Sequence, residues 1–285
     1  MGMTKNEIAL QREIEELAKA EGDVCIICLH QVHELAAEFD CPIREVEVAA
    51  LRAGVVPWRY LRNLGTVGLE GQAKLLQATV AVVGLGGLGG YVVEALARMG
   101  VGRLILIDGD AFEEHNFNRQ LLSAESKLGM EKAQAELQRV AEINSAVEVI
   151  DRAATLTRES LPQLLEGADV VVDALDRLPT RIVLQEGAQA LGIPMVHGSI
   201  AGFLGQVMTI LPGDFGLRGL YGDQNDLPEQ GLEAELGTPA GTPMAVAAWE
   251  AQEVVKILLG KGELLRHRLL LMDMESGTVE ILQTS

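Results

Sequence analysis

Residues 80–89 read Val-Ala-Val-Val-Gly-Leu-Gly-Gly-Leu-Gly, and a helical pattern then runs to Gly100. An apolar run, a glycine cluster and a helix start predict a buried strand, a tight turn and a phosphate-binding helix end. Gly84, Gly86 and Gly89 fit the spacing G-x-G-x-x-G, with Gly87 as an extra glycine. The first glycine permits the turn, the second lets backbone N–H groups approach a phosphate, and the third lets helix and strand pack closely. The helix N-terminus then faces the anion with unpaired amides. Asp108 follows the next strand at 104–107, where a carboxylate can accept hydrogen bonds from ribose hydroxyls. The stretch therefore predicts an adenine-nucleotide site but leaves the reaction open.

The chain has 285 residues, enough for one large α/β domain with a small extension. It is 48% hydrophobic but only 4% aromatic, so its core must be largely aliphatic. Its net charge is −18, from 23 basic and 41 acidic residues, which argues against nucleic acid as the main ligand. No apolar run approaches the ~20 residues of a spanning helix. The charged, amphipathic start of the chain is unlike a secretory signal, so a cytoplasmic location is expected. Cys25, Cys28 and Cys41 are the only cysteines, too few and too odd in number for a disulfide framework. With His30 and His33 nearby they suggest a zinc cluster, but Val-Cys-Ile-Ile-Cys-Leu is also an ordinary buried apolar run.

Residues 4–20 predict a charged helix, 24–38 fit strand or helix equally, and 43–53 predict a short helix closed by Gly54. Residues 1–56 are accordingly read as a small, mainly helical accessory module and 57–285 as the nucleotide-binding domain. Beyond Trp58 the pattern alternates, with strands expected at 79–84, 103–108, 147–151, 169–173, 194–199 and 203–211. Helices are expected at 88–99, 131–142 and 180–191. Continuously apolar strands imply a sheet covered on both faces, hence a parallel one. Residues 212–241 read as a long loop of a length that is usually functional or mobile. Thr242 is a candidate cap and Pro243 a candidate first residue for a helix running to Gly260. Two strands, 268–273 and 278–282, close the chain.

Four features decide what the nucleotide is for. Asp110 adds a second carboxylate after Asp108. Asn118, Arg119 and Gln120 crowd polar groups where a turn would suffice. Lys132 stands in the first turn of a helix, where a cation is unfavourable unless an anion lies close. Asp173 and Asp176 end a strand at the carboxyl edge of the sheet, with Arg181 five residues further on. Arginine, lysine and a carboxylate able to hold Mg²⁺ suit phosphate transfer, which works by positioning and charge neutralisation. His197 and Ser199 hint at a catalytic pair, but no acid is spaced to serve them, so His197 reads as a strand-end residue lining the site. The helix around Trp249 reads as core packing.

In these motifs the chain resembles the ThiF/MoeB/HesA adenylyltransferases, relatives of the ubiquitin-activating enzymes. The resemblance spans about residues 58–282. It takes in Arg59-Tyr60-Leu61-Arg62-Asn63, Gly71–Leu75, the glycine turn, the Asp108/Asp110 segment, Asn118-Arg119-Gln120, the Gly129-to-Lys132 stretch, Asp176 to Arg181, Gly205-Gln206-Val207, and Glu253 with Lys256. It implies a doubly wound, mostly parallel Rossmann-like sheet with an antiparallel C-terminal extension, in a homodimer. It implies ATP-dependent adenylation of the C-terminal glycine carboxylate of a small ubiquitin-like (β-grasp) sulfur-carrier protein. By motif, Asp108 would hold the ribose, with Asp110, Asn118 and Gln120 supporting the nucleotide. Arg119 and Lys132 would stabilise the phosphates, Asp176 would organise Mg²⁺, and Arg62 would reach the nucleotide of the partner subunit.

The chain departs from the family in three places. The segments where relatives carry paired CxxC motifs have no cysteine, so no zinc is expected in the adenylation domain. The loop 212–241 has none either, so chemistry is expected to stop at the acyl-adenylate. The residue after Asp176 is Arg177 rather than the usual asparagine. Alternatives left open are adenylation of a carboxylate on modified tRNA (as in threonylcarbamoyl-adenosine dehydratases) or on a peptide, an NAD-dependent oxidoreductase, and a noncatalytic partner-binding subunit.

Overall fold

The computed structural model describes residues 4–152, 154, 156–222 and 227–284. Residues 1–3 of the expected accessory module, 223–226 of the expected loop and 285 lie outside the described residues. The strands are β1 (Lys19–Glu21), β2 (Val24–Ile27), β3 (Val55–Pro57), β4 (Thr79–Val83), β5 (Arg103–Ile107), β6 (Glu148–Asp151), β7 (Val170–Asp173), β8 (Met195–Ala201), β9 (Leu204–Ile210), β10 (Arg268–Asp273) and β11 (Thr278–Gln283). The main sheet has the order β11-β10-β9-β8-β7-β4-β5-β6. Strands β6, β5, β4, β7 and β8 run parallel, and β9, β10 and β11 each run antiparallel to the neighbour before them. This is the expected doubly wound sheet with its antiparallel extension.

The unbroken apolar strands have a simple cause. Alternate side chains enter opposite layers, and both layers are dry. Val80, Val82, Leu104, Leu106, Val170 and Val172 pack with residues of the helices Gly89–Met99 and Gly241–Leu259. Ala81, Val83, Ile105, Ile107 and Val171 pack on the other face with Ile182, Leu184 and Ala188 of the helix Leu178–Leu191. Burying one such side chain is worth roughly 1.5–3 kcal/mol relative to leaving it exposed.

The order of strands reverses between β4 and β7, and the glycine turn lies at that point. Gly84 has φ +89°, and a Cβ there would sit 2.6 Å from the Ala174 carbonyl oxygen. A Cβ on Gly89, the first residue of its helix, would run into the Gly84 carbonyl. Strand β4, the helix and the turn after β7 therefore meet where two methyl groups are missing. Gly86 differs, because a Cβ there would meet its nearest neighbour, Gln120 Nε2, at an ordinary 3.6 Å.

The first 57 residues hold more strand than expected. The helix Lys5–Leu17 starts on a reciprocal cap between Thr4 and Glu7 and ends three residues before the predicted boundary. Gly22 and Asp23 then turn β1 into β2, with Glu21 paired to Val24. The ambiguous 24–38 divides into β2 and the helix Leu29–Glu38. Strand β3 pairs parallel with β2, so the expected boundary at 56/57 falls inside a paired strand. Leu10, Ile14, Ile27, Val32, Leu35 and Val46 form a core separate from that of the main sheet. The sequence reading also missed the helix Leu64–Gln77, on which the helix Ile43–Arg52 packs.

The loop 212–241 carries two short helices among its described residues, Leu217–Tyr221 and Glu233–Leu236. The following helix begins at Gly241. Thr242 donates its hydroxyl to the Gly202 carbonyl (2.7 Å) instead of capping that helix. Trp249 on the same helix is 39% exposed, while Val246, Ala247 and Ala251 beside it are buried.

The glycine geometry has a measurable consequence. Gly89→Ala is expected to lose at least about 3 kcal/mol in urea unfolding, the upper end of overpacking costs, because its obstacle is backbone. Gly86→Ala is expected to stay within about 1 kcal/mol of the parent. Equal losses in the two variants would overturn the close-approach account.

Candidate functional site

A cleft of about 730 Å³ opens at the carboxyl ends of β4, β5 and β7. Its wall brings together Gly84, Gly86, Gly87, Asp108, Asp110, Arg119, Gln120, Lys132 and Asp176. These residues span more than ninety positions of sequence, and the topology alone collects them. Thr180 and Ile200 add to the wall, as do Gln230, Glu233, Ala234 and Thr238 from the long loop. The glycine and acid content of that stretch was the available sign that it would serve a site, although it named no residue.

Asp108 is the hub of the inner wall. Its Oδ2 accepts from the Leu85 amide (2.7 Å) and its Oδ1 from the Asp110 amide (2.8 Å). Burial pushes its carboxyl above the usual range, against the pull of Lys132 and the two amides. Lys132 opens its helix with its side chain 8% exposed, its Nζ 2.9 Å from Asp110 Oδ2 and 3.8 Å from Asp108 Oδ2. The cation at the positive end of a helix dipole thus has two anions of the chain itself as neighbours.

Arg119 sits across the cleft, where its Nη1 donates to the His115 carbonyl and to Asn118 Oδ1, both at 2.9 Å. Burial pulls it below its ordinary value while the Asp176 charge opposes that shift. Asn118 does not face the cleft: its Nδ2 donates to the Thr238 carbonyl (3.1 Å) and so fastens the long loop. Gln120 is 6% exposed, and its Oε1 is buried without a hydrogen-bond partner among the described residues.

The acids after β7 divide sharply. Asp173 is fully buried, whereas Asp176 is exposed on the cleft wall. Arg181 Nη1 donates to Asp173 Oδ2 (3.2 Å) and to the Gly198 carbonyl (2.7 Å), and Nη2 donates to the Leu175 carbonyl. These donors are committed to the scaffold, although the side chain also lines the cleft. His197 is also fully buried rather than lining the site, with Nδ1 2.7 Å from Asp173 Oδ2. A carboxylate only accepts, so Nδ1 carries the proton. The acid that seemed absent from the sequence stands on the neighbouring strand, since Asp173 and His197 are register partners in β7 and β8. Burial would raise Asp173, but Arg181 and His197 hold it below the usual carboxylate range. Burial keeps the His197 imidazole below its ordinary value despite Asp173.

Glu250 lies against this cluster with both carboxyl oxygens buried and, among the described residues, without hydrogen-bond partners. A Cβ on Gly198 would come within 2.5 and 2.7 Å of those oxygens. Burial, and then the Asp173 charge, push its carboxyl well above the usual range, with Arg181 opposing.

Arg62 stands apart: it is exposed and does not line the cleft of its own chain. Gly89 lies under the cleft floor as a packing residue. Arg177, which stands where relatives carry asparagine, pairs at 3.0 Å with Glu229 of the long loop. Among the described residues no group of three or more His, Cys, Asp or Glu side chains is placed to hold a metal ion, and the cysteine segment is not assembled as a cluster. Among the described residues no helix is long and apolar enough to cross a membrane.

A doubly wound sheet with a glycine turn, two cations and an open carboxylate at its switch point is the framework of a nucleotide-binding enzyme. A profile described as the ThiF family matches residues 60–285; the chain belongs to that family and is an adenylyltransferase. The SAMP-activating enzyme E1 of Haloferax volcanii is 37% identical to it over 227 residues, covering 78% of this chain and 83% of that protein. The sulfur carrier protein adenylyltransferase of Thermus thermophilus is 38% identical over 223 residues, covering 75% and 82%. The adenylyltransferase and sulfurtransferase MOCS3 of Drosophila yakuba is 32% identical over 273 residues, covering 94% of this chain but 60% of the relative. A crystal structure of E. coli MccB with MccA-N7isoASN superposes with a TM-score of 0.70 at 24% identity, covering 80% of this chain and 72% of that one, a likeness of fold.

Glu250 supplies a pH test. A carboxyl raised in the folded state takes up a proton on folding, so the stability it permits is fully present below the unfolded carboxylate range and falls as pH rises above it. Glu250→Gln removes the charge that must be neutralised. Its melting temperature is expected to exceed the parent's by a few degrees at pH 8, with the gap closing towards pH 5. A gap independent of pH would refute the protonated assignment.

Proposed function

We propose that the chain catalyses ATP- and Mg²⁺-dependent adenylation of the C-terminal glycine carboxylate of a small ubiquitin-like (β-grasp) sulfur-carrier protein, as a homodimer acting in the cytoplasm. The observation that carries this reading is the gathering in one cleft of a glycine turn, two cations and an exposed carboxylate. The Haloferax relative, a SAMP-activating enzyme, and the Thermus relative, a sulfur carrier protein adenylyltransferase, supply the carrier as substrate class.

The residues present fit the nucleotide. Gly86 leaves room beside the Gln120 amide nitrogen, and the buried oxygen of the same side chain has no hydrogen-bond partner among the described residues. The amides of the glycine turn and the helix start at Gly89 suit phosphate oxygens. Asp108 stands where ribose hydroxyls bind. Asp110 and Gln120 line the pocket around it, and Asn118 supports it indirectly by holding Thr238 of its wall. A single exposed carboxylate, Asp176, also suits Mg²⁺, which is commonly held by one or two protein carboxylates together with substrate phosphates. The metal would neutralise charge on those phosphates. We place residues 1–56 as an accessory module and 57–285 as the adenylation domain.

In the reaction the carrier carboxylate attacks the α-phosphorus, a new C–O–P linkage forms, and the bond to pyrophosphate breaks. Arg119 and Lys132 oppose the charge that accumulates on the transferred and departing oxygens. Lys132 leaves its contact with Asp110 to do so, exchanging one anion for another. Arg62 of one subunit reaches the nucleotide of the other. The loop 212–241 has no cysteine, so product chemistry stops at the acyl-adenylate, and no zinc is held in this domain.

ATP–pyrophosphate exchange with Mg²⁺, measured across small carriers ending in Gly-Gly, tests the reading. Exchange dependent on one carrier is the expected result. Asp176→Ala should abolish it, and Arg119→Ala should slow it about a hundred-fold, the usual cost of losing one preorganised charge donor. Exchange with no carrier, from protein that binds ATP, would overturn the carrier reading and redirect attention to a tRNA or peptide carboxylate.

A further inference from the structure

Arg62 lies in a 3₁₀ segment, Trp58–Asn63, pinned on both sides of the arginine. Tyr60 is fully buried, and its hydroxyl donates to Glu47 Oε2 (3.0 Å) and accepts from Asn144 Nδ2 (2.8 Å). Arg59 Nε lies 3.2 Å from Glu47 Oε1, and its Nη1 donates to Asn144 Oδ1. On the far side, Asn63 Nδ2 donates to Gln72 Oε1 (2.9 Å), and Gln72 Nε2 donates to the Met99 carbonyl (2.8 Å). The Tyr60 ring fills the space over Gly100, where a Cβ would stand 2.6 Å from its edge. Arg62, between these anchors, is exposed and makes no ion pair or side-chain hydrogen bond among the described residues.

Glu47 is the decisive anchor because it belongs to the N-terminal unit. It is fully buried on the helix Ile43–Arg52, and burial raises its carboxyl against the pull of Arg59 and Tyr60. That helix is braced by Arg44, which donates to the Gly102 carbonyl just before β5 (2.9 Å), and by Arg52, which donates to Gln77 Oε1 at the end of the helix Leu64–Gln77 (3.1 Å). His33 of the same unit meets Ser145 at 3.1 Å. Burying a carboxylate is costly unless it is paired, and here both of its partners lie in the segment that carries Arg62. The clamp fixes the backbone from which the guanidinium extends, so only the side chain itself remains to be ordered when a ligand binds.

We infer that the N-terminal unit is a positioning device for Arg62, with Glu47 and Tyr60 as the positioning residues. The inference rests on the reading that Arg62 serves the nucleotide site of the partner subunit. Asn144 offers a competing route, because it follows the helix Lys132–Ile143 whose first residue is Lys132. On that route Glu47 would act on the site of its own subunit.

Subunit complementation separates the two. Doubly tagged heterodimers are purified through both tags and assayed by ATP–pyrophosphate exchange. The control pair, Arg62→Ala with Lys132→Ala, retains one intact site and should give about half the parental rate; an inactive control overturns the shared-site reading, and with it the inference. Glu47→Gln and Tyr60→Phe, as homodimers, should each lose at least about tenfold in rate while keeping their affinity for ATP. Paired with Lys132→Ala, each should recover about half the parental rate, because the arginine then comes from an intact N-terminal unit. Paired with Arg62→Ala, neither should recover. With an active control, recovery beside Arg62→Ala but not beside Lys132→Ala would overturn the inference in favour of the route through Asn144. Full activity of both homodimeric variants would overturn any positioning role. Tyr60→Phe keeps the ring packing, so it guards against a variant that simply fails to fold.

Discussion

Two missing methyl groups hold this structure together. The carbonyl of Gly84 occupies the space a side chain on Gly89 would need, and the Ala174 carbonyl crowds the Cβ position of Gly84. Because of this, the central strand, the helix Gly89–Met99 and the turn leading to Asp176 share one small volume. Close approach places the helix start at the mouth of the sheet, and the mouth is where strand order reverses. The cleft, its two cations and its exposed acid all take their positions from that contact.

Around this point, charge is sorted by burial. Asp173 remains ionised in the interior because Arg181 and His197 neutralise and hydrogen-bond it. Glu250, a short distance away and without such partners, is driven towards its neutral form. Asp176 is exposed on the cleft wall and is available to a ligand. Three acids within one neighbourhood thus behave as a scaffold ion, a neutral packing group and an open binding group. The scaffold ion serves the open one: Arg181, held by Asp173, grips the Leu175 carbonyl next to Asp176.

The main sheet was legible because its strands are apolar along their whole length and because glycine spacing marks its turn. Motif order brought out most of the cleft as well. Three kinds of information were hidden. Pairing across strands was one: nothing in the linear spacing of Asp173 and His197 shows that they are register partners. The fate of a donor was another, since nothing in the sequence shows that Arg181 gives donors to Asp173 and to two backbone carbonyls. Short strands were the third, for β1 and β3 have three residues each and carry too little pattern to register. The anchoring of Tyr60 by Glu47 depends on docking between two units and leaves no periodic trace.

The placement of β4 also dictates an order of assembly. One of its neighbours, β5, begins at Arg103, but the other, β7, begins only at Val170. Contacts so distant in sequence form slowly, and a growing chain must hold one apolar edge of β4 open until the later strand emerges. The N-terminal unit and the β4–β5–β6 half precede that event; the cleft follows it. Binding competence therefore cannot precede that closure, so a nucleotide that binds only the closed state also selects chains that have completed it, and stabilises them by mass action.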